Sequence, residues 1–230
     1  MFKSSCIKMS FVSLGFSGAL LVTVVASQSR EQKMLLEPAN EATQQVQSQS
    51  STMAAGGMQM SADSVLSNWP AKAQEVAKKM IDKYGQPAEV TASMLVWHNT
   101  GPWKRTIIYR DEVMHQFPMS HPDLLEQFID YRVPVGKFSD LAAYDGSVIV
   151  ERTKGEISAR CDKEEANFLA LNLAHDIVTG KRTVEEARRF YAETIKALMA
   201  GQKPAYTQKL QFEMPKGNTA DPDKPAMAAP

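Results

Sequence analysis

The chain has 230 residues, 43% of them hydrophobic, and its 26 Lys and Arg balance 26 Asp and Glu. That composition suits one ordinary globular domain with appended segments. A balanced charge supplies no basic face, which argues against nucleic acid or an anionic lipid surface as the partner.

The N-terminus carries a sorting pattern. Lys3 and Lys8 bracket the start, the uncharged run "MSFVSLGFSGALLVTVVASQS" follows, and charge returns at Arg30. A basic start, an apolar middle and small residues around Val24-Val25-Ala26-Ser27 predict a secretory signal peptide over 1–27. The run also approaches the length of a bilayer span, so an uncleaved N-terminal anchor is the rival reading. Under both, Lys3 and Lys8 stay inside and the rest is exported, to the periplasm or envelope of a bacterial-type cell. Cys6 precedes the apolar run rather than following it, which argues against a lipidated cysteine; Cys161 then has no partner for an internal disulfide.

Residues 28–63 read as a disordered linker, because "EATQQVQSQSSTMAAGGMQMSAD" has no aromatic residue, little charge and no period. Residues 216–230, "KGNTADPDKPAMAAP", read as a disordered tail. The globular domain is therefore expected over 64–215.

Its first element is a helix in "WPAKAQEVAKKMIDKYGQP". Trp69, Ala73, Val76, Ala77, Met80, Ile81 and Tyr84 form one apolar stripe, with Pro70 at the start and Gly85 and Pro87 at the exit. The "YGQP" exit and the Trp-bearing strand after it resemble small bacterial envelope proteins of the outer-membrane assembly lipoprotein type. The lipidated cysteine of that type is missing, and no function is carried across.

Next, "SMLVWH" and "WKRTIIYR" flank the turn residues "NTGP" and predict a hairpin. A turn centred on Thr100-Gly101 sets His98 opposite Trp103, Val96 opposite Arg105 and Met94 opposite Ile107. The face with Met94, Val96, His98, Trp103, Arg105, Ile107 and Tyr109 is expected to be the core face. The other holds Leu95, Trp97, Lys104, Thr106, Ile108 and Arg110, with Trp97 and Lys104 in cation–π contact. "LLEQFIDYRVP" is read as a strand, and "VGKFSDLAAYDG" as a short helical turn ending at Gly146.

The second hairpin, "SVIVERTKGEISARC", alternates more cleanly. A two-residue Lys154-Gly155 turn pairs Val150 with Ala159 and Val148 with Cys161. Val148, Val150, Ile157, Ala159 and Cys161 then face inward, and Ile149, Glu151, Thr153, Glu156, Ser158 and Arg160 face water. Asp162 and Glu165 are expected to cap a buried helix through "ANFLALNLA", which Gly180 ends. Thr183 and Glu186 cap the next, whose inner stripe is Val184, Ala187, Tyr191, Ile195 and Leu198. "YTQKLQFEM" alternates and is expected to add an edge strand. The fold class is α+β: a small antiparallel sheet of two hairpins packed against three main helices.

Among chemistry-bearing residues, "HQFPMSHPD" offers His115, His121 and Asp123, with Glu126 nearby. Pro118 and Pro122 predict an extended loop with solvated histidines, so no metal is assigned. Cys161, between Arg160 and Asp162, falls on an apolar face and is expected to be inert. His175 beside Asp176 reads as packing. No phosphate loop, GxSxG or SxxK pattern appears, and no cofactor is assigned. The opening hairpin holds the best surface candidates, Trp97, His98, Trp103, Lys104 and Arg105, residue types that interfaces favour. The expectation is an exported, non-catalytic binding or assembly module whose partner is an envelope protein or a small molecule. Its alternatives are a metal-assisted hydrolase using His115, His121 and Asp123, and a sensor holding a small molecule over Trp97 and Trp103.

Overall fold

A computed structural model describes residues 61–227. The expected leader over 1–27 and nearly all of the expected linker lie outside the described residues. Among the described residues, no helix is long and apolar enough to cross a membrane.

Two helices open the fold: α1, Ala62–Leu66, and α2, Ala71–Tyr84. Ser61 caps α1 by accepting from Ser64 N at 3.2 Å. Ala62, Val65 and Leu66 are buried, so the fold already takes in the end of the Gln/Ser-rich segment. The strands are β1 (Glu89–Val90), β2 (Met94–Thr100), β3 (Trp103–His115), β4 (His121–Asp130), β5 (Val148–Glu151) and β6 (Glu156–Cys161). Between β4 and β5 lies α3, Phe138–Tyr144; after β6 come α4, Glu164–Val178, and α5, Val184–Met199. The six strands form one sheet, β1-β2-β3-β4-β6-β5, antiparallel throughout. The α+β class is as the alternation implies, with two short helices, α1 and α3, beside the three main ones.

The core has two lobes. One seats α1 and α2 on Leu95, Trp97, Ile108 and Leu125. The other packs α3, α4 and α5 with Ile129, Val148, Ile157 and Ala159. These assignments reverse the expected faces of the first hairpin. His98 pairs with Arg105, Val96 with Ile107 and Met94 with Tyr109, a slip of two residues that leaves each face's membership unchanged except at Trp103. The helices bury the face of Leu95, Trp97, Thr106 and Ile108 instead, because Trp97 seats against the end of α2 and donates Nε1–H to Gly85 O at 2.8 Å. Trp97 lies opposite Thr106, so the expected contact with Lys104 does not form. At the hairpin end Asn99 (φ 53°) and Gly101 (φ 59°) take left-handed backbone and the alternation breaks. Trp103 turns to the helix side and packs on Phe168, ring centroids 4.6 Å apart.

The second hairpin keeps its expected inward face, but its other face is not wet along β6. Glu156 and Ser158, expected in water, are 2% and 1% exposed, because β6 lies between β4 and β5 and partners such as Lys104, Arg105 and Glu126 cover that face. The register also shifts. Val148 pairs with Ala159 and Val150 with Ile157, so the turn spans four residues, Arg152 to Gly155. Gly155 (φ 65°) is required there: an added Cβ would sit 1.9 Å from Thr219 O. Residues 216–223, read as part of a disordered tail, run past this turn. Arg132 Nε donates to Thr219 O at 2.9 Å, and Arg152 pairs with Asp221 and Asp223.

Three local expectations change. The segment 115–123 is the end of a hairpin rather than an extended loop: residues 116–120 form the turn, and Val113, Met114 and His115 lie opposite Asp123, Pro122 and His121. Asp162 does not cap α4; Lys163 is the N-cap residue, without a side-chain bond, and Asp162 instead receives Lys72 and Lys163. The segment 206–214 forms no strand. Its backbone groups go to Asn172, which donates to Tyr206 O and Lys209 O and accepts from Gln211 N at 2.7 Å. The capping box of Thr183 and Glu186 forms as the spacing implies.

Candidate functional site

The five residues expected to make a binding surface do not converge on one. Trp97 and Trp103 are 2% and 1% exposed and belong to the core, which removes the seat for a small molecule over both rings. Trp103 Nε1 donates to Glu164 Oε1 at 2.6 Å. His98 meets exposed Glu89 at 2.6 Å. Lys104 and Arg105 both reach the buried Glu156, at 2.8 and 2.9 Å. Burial works against the Glu156 charge, but these two cations outweigh it and hold the carboxyl below its ordinary range.

The other end of β3 brings separated residues together. His121 and Asp123 are two apart on β4 and so share a side, while His115 lies directly across from His121 on β3. One donor atom from each falls within 4.8 Å of the others. His121 Nε2 is 3.1 Å from Asp123 Oδ1, and His115 Nδ1 is 3.3 Å from Asp123 Oδ2. Asp123 is 2% exposed, and its Oδ1 has no hydrogen-bond partner beyond that contact with His121.

The turn before β5 completes the surroundings. Ser147 donates its hydroxyl to Asp123 Oδ2 and its backbone N–H to Asp145 Oδ1, the latter at 2.8 Å. Asp145 Oδ1 in turn stands 3.8 Å from His115 Nε2. Burial raises the Asp145 carboxyl. His121 Nδ1 is 2.9 Å from the Met119 carbonyl. Its bond to Asp123, then its contact with Cys161, push the His121 pKa up to about 11. Cys161, at the end of β6, donates to Asp162 Oδ1 at 3.6 Å. Burial raises its thiol despite His121, so it rests as the neutral thiol, a poor nucleophile.

This cluster borders a cavity of about 390 Å³ between the β3–β4 turn, the start of α4 and α5. His121 and Cys161 form its polar end; Met119, Tyr191, Ile195 and Leu198 line its apolar wall. At the rim, Lys72 and Lys163 both pair with Asp162. His175 lies elsewhere and is packing, as expected: its Nδ1 meets Tyr131 Oη at 2.8 Å and its ring stacks on Phe212 at 4.2 Å.

The signal available in the sequence was the His-x-Asp spacing with a histidine across the turn. It becomes legible once 121–130 is known to be a strand. No family model matches the chain, and no curated protein or solved structure matches it either.

Proposed function

We propose that the chain is an exported, non-catalytic binding module of the bacterial cell envelope, with its ligand seat in the cavity beside the β3–β4 turn. The observation that carries this reading is the cavity itself. Its volume of about 390 Å³ falls in the range of small-molecule sites, and its apolar wall ends on a few polar groups. That lining suits a small amphipathic molecule, its apolar body against Ile195 and Leu198 and its polar head toward His121. The leader pattern of Lys3, Lys8 and the apolar run supports export.

The full-length chain titrated with 1-anilinonaphthalene-8-sulfonate, an apolar anion whose fluorescence rises when shielded from water, tests the seat. Saturable binding at one site is expected. Leu198→Trp, which fills the apolar wall, should weaken it by about tenfold, or 1.4 kcal/mol. Val113→Trp, at an exposed position outside the cavity lining, should leave it unchanged. Equal binding by the Leu198→Trp chain overturns the assignment. Recovery of the chain from the cytosol with its leader intact overturns the export.

A further inference from the structure

We propose that the β3–β4 arm binds a transition-metal dication of the zinc class through His115 Nδ1, His121 Nε2 and the carboxylate of Asp123. The ligands are the arm's own side chains, whatever fills the cavity.

A carbonyl oxygen only accepts, so the 2.9 Å contact of His121 with Met119 O places the proton on Nδ1. In the neutral ring, Nε2 then presents a lone pair to Asp123 Oδ1 at 3.1 Å. That oxygen is buried and has no hydrogen-bond partner beyond that contact. Out of water the buried carboxylate calls for a cation against it, a place that a proton on Nε2 takes when no metal is bound and that the metal takes when it is. His115 adds a second nitrogen, 3.3 Å from the other carboxylate oxygen.

The spacing suits a metal ion. Four-coordinate zinc, with bonds of about 2.0–2.1 Å, holds its ligand atoms about 3.4 Å apart. The histidines approach the carboxylate from its two oxygens, His121 at 3.1 Å from Oδ1 and His115 at 3.3 Å from Oδ2, and one donor atom from each of the three residues lies within 4.8 Å of the others. Small side-chain rotations close the remainder. Two imidazoles and one carboxylate favour zinc, cobalt, nickel or copper over the oxygen-seeking magnesium and calcium.

Each ligand is also held from behind. Met119 O fixes His121, Ser147 Oγ–H fixes Asp123, and Asp145 stands beyond His115 Nε2. Such outer contacts orient ligands in metal sites and favour the required tautomer. Three protein ligands leave a fourth place for water or a ligand group.

The test is calorimetric titration of the metal-free full-length chain with Zn2+. One ion per chain is expected. His121→Gln and Asp123→Asn should each weaken binding by more than a hundredfold, and Ser147→Ala by about 10- to 100-fold. His115→Gln, at a more exposed position, keeps the test decisive should Asp123→Asn fail to fold. Cobalt in place of zinc should show the intense visible bands of a four-coordinate ion and lose them in His115→Gln. Two results overturn the proposal. One is no stoichiometric uptake by the folded wild-type chain. The other is wild-type affinity in both the His115→Gln and His121→Gln chains, which would make the cluster an imidazolium–carboxylate clasp.

Discussion

β3 runs from Trp103 to His115, and its two ends treat similar residues in opposite ways. At the first end, aromatic rings, a histidine and two cations crowd the β2–β3 turn, yet each finds a partner. The indoles of Trp97 and Trp103 donate to Gly85 O and Glu164, Lys104 and Arg105 share Glu156, and His98 meets Glu89. At the second end two histidines and a buried aspartate meet, and Asp123 Oδ1 has no hydrogen-bond partner beyond its ion-pair contact with His121. Residue type alone does not separate the two ends. What does is whether the indole and charged groups, once buried, find partners elsewhere in the fold.

The largest effect that would break this comparison lies at the first end. If Trp103 is a core residue, Trp103→Ala removes a buried ring from Phe168 and a donor from Glu164, and should destabilise by roughly 3–5 kcal/mol. Trp103→Phe keeps most of the packing and loses only the N–H, for roughly 1–3 kcal/mol. Urea denaturation measures both. A loss within about 0.5 kcal/mol for the alanine variant, the size typical of surface substitutions, would mean that the ring is a surface element after all.

How much of this was legible depends on how local the deciding physics is. The inward face of β5–β6 was readable because Val148, Val150, Ile157, Ala159 and Cys161 are all apolar. The burial of Glu156 and Ser158 was not, since their partners come from β3 and β4. The Thr183 capping box is a contact between residues three apart. The β2–β3 faces were not readable, since both sets mix apolar and polar residues. The choice falls to α2, a separate element, which accepts Trp97. The His115–Asp123 arm was hidden by its prolines. Pro122 sits in a strand without penalty because β6 pairs with β4 only from Leu125 onward, so β4 is still an edge there. Alternation misled at 206–214, where Asn172 takes up the backbone groups that a neighbouring strand would have bonded.

The second end is sharpened by pH. With metal removed by a chelator, the His121 pKa stands near 11, against an ordinary value near 6.5. A group whose folded pKa is raised stabilises fully below its unfolded value and loses that contribution as pH rises through the folded one. The folded chain binds the extra proton throughout this window, so its stability relative to His121→Gln should fall steadily from about pH 6.5 to about pH 11. Denaturation curves of both chains at a series of pH values read the difference directly. Parallel curves would show that Asp123 does not clasp the ring and would merge the two ends of β3 into one kind of site.

The smallest effect is the control, because it changes the same residue type at the opposite end. His98 pairs with Glu89 at 2.6 Å, a separation shorter than that between His121 and Asp123. On distance alone His98→Ala should be the more costly substitution. Both of its partners are exposed, however, with 44% and 59% of their side-chain surface in water, so solvent screens the pair and competes for its hydrogen bond. Exposed pairs of this kind contribute about 0–1 kcal/mol, and 0.5 M salt should erase whatever remains. Urea denaturation of His98→Ala at low and high salt reads this. A loss larger than that of His121→Gln at pH 7 would show that distance, rather than burial, decides which histidine of this sheet matters.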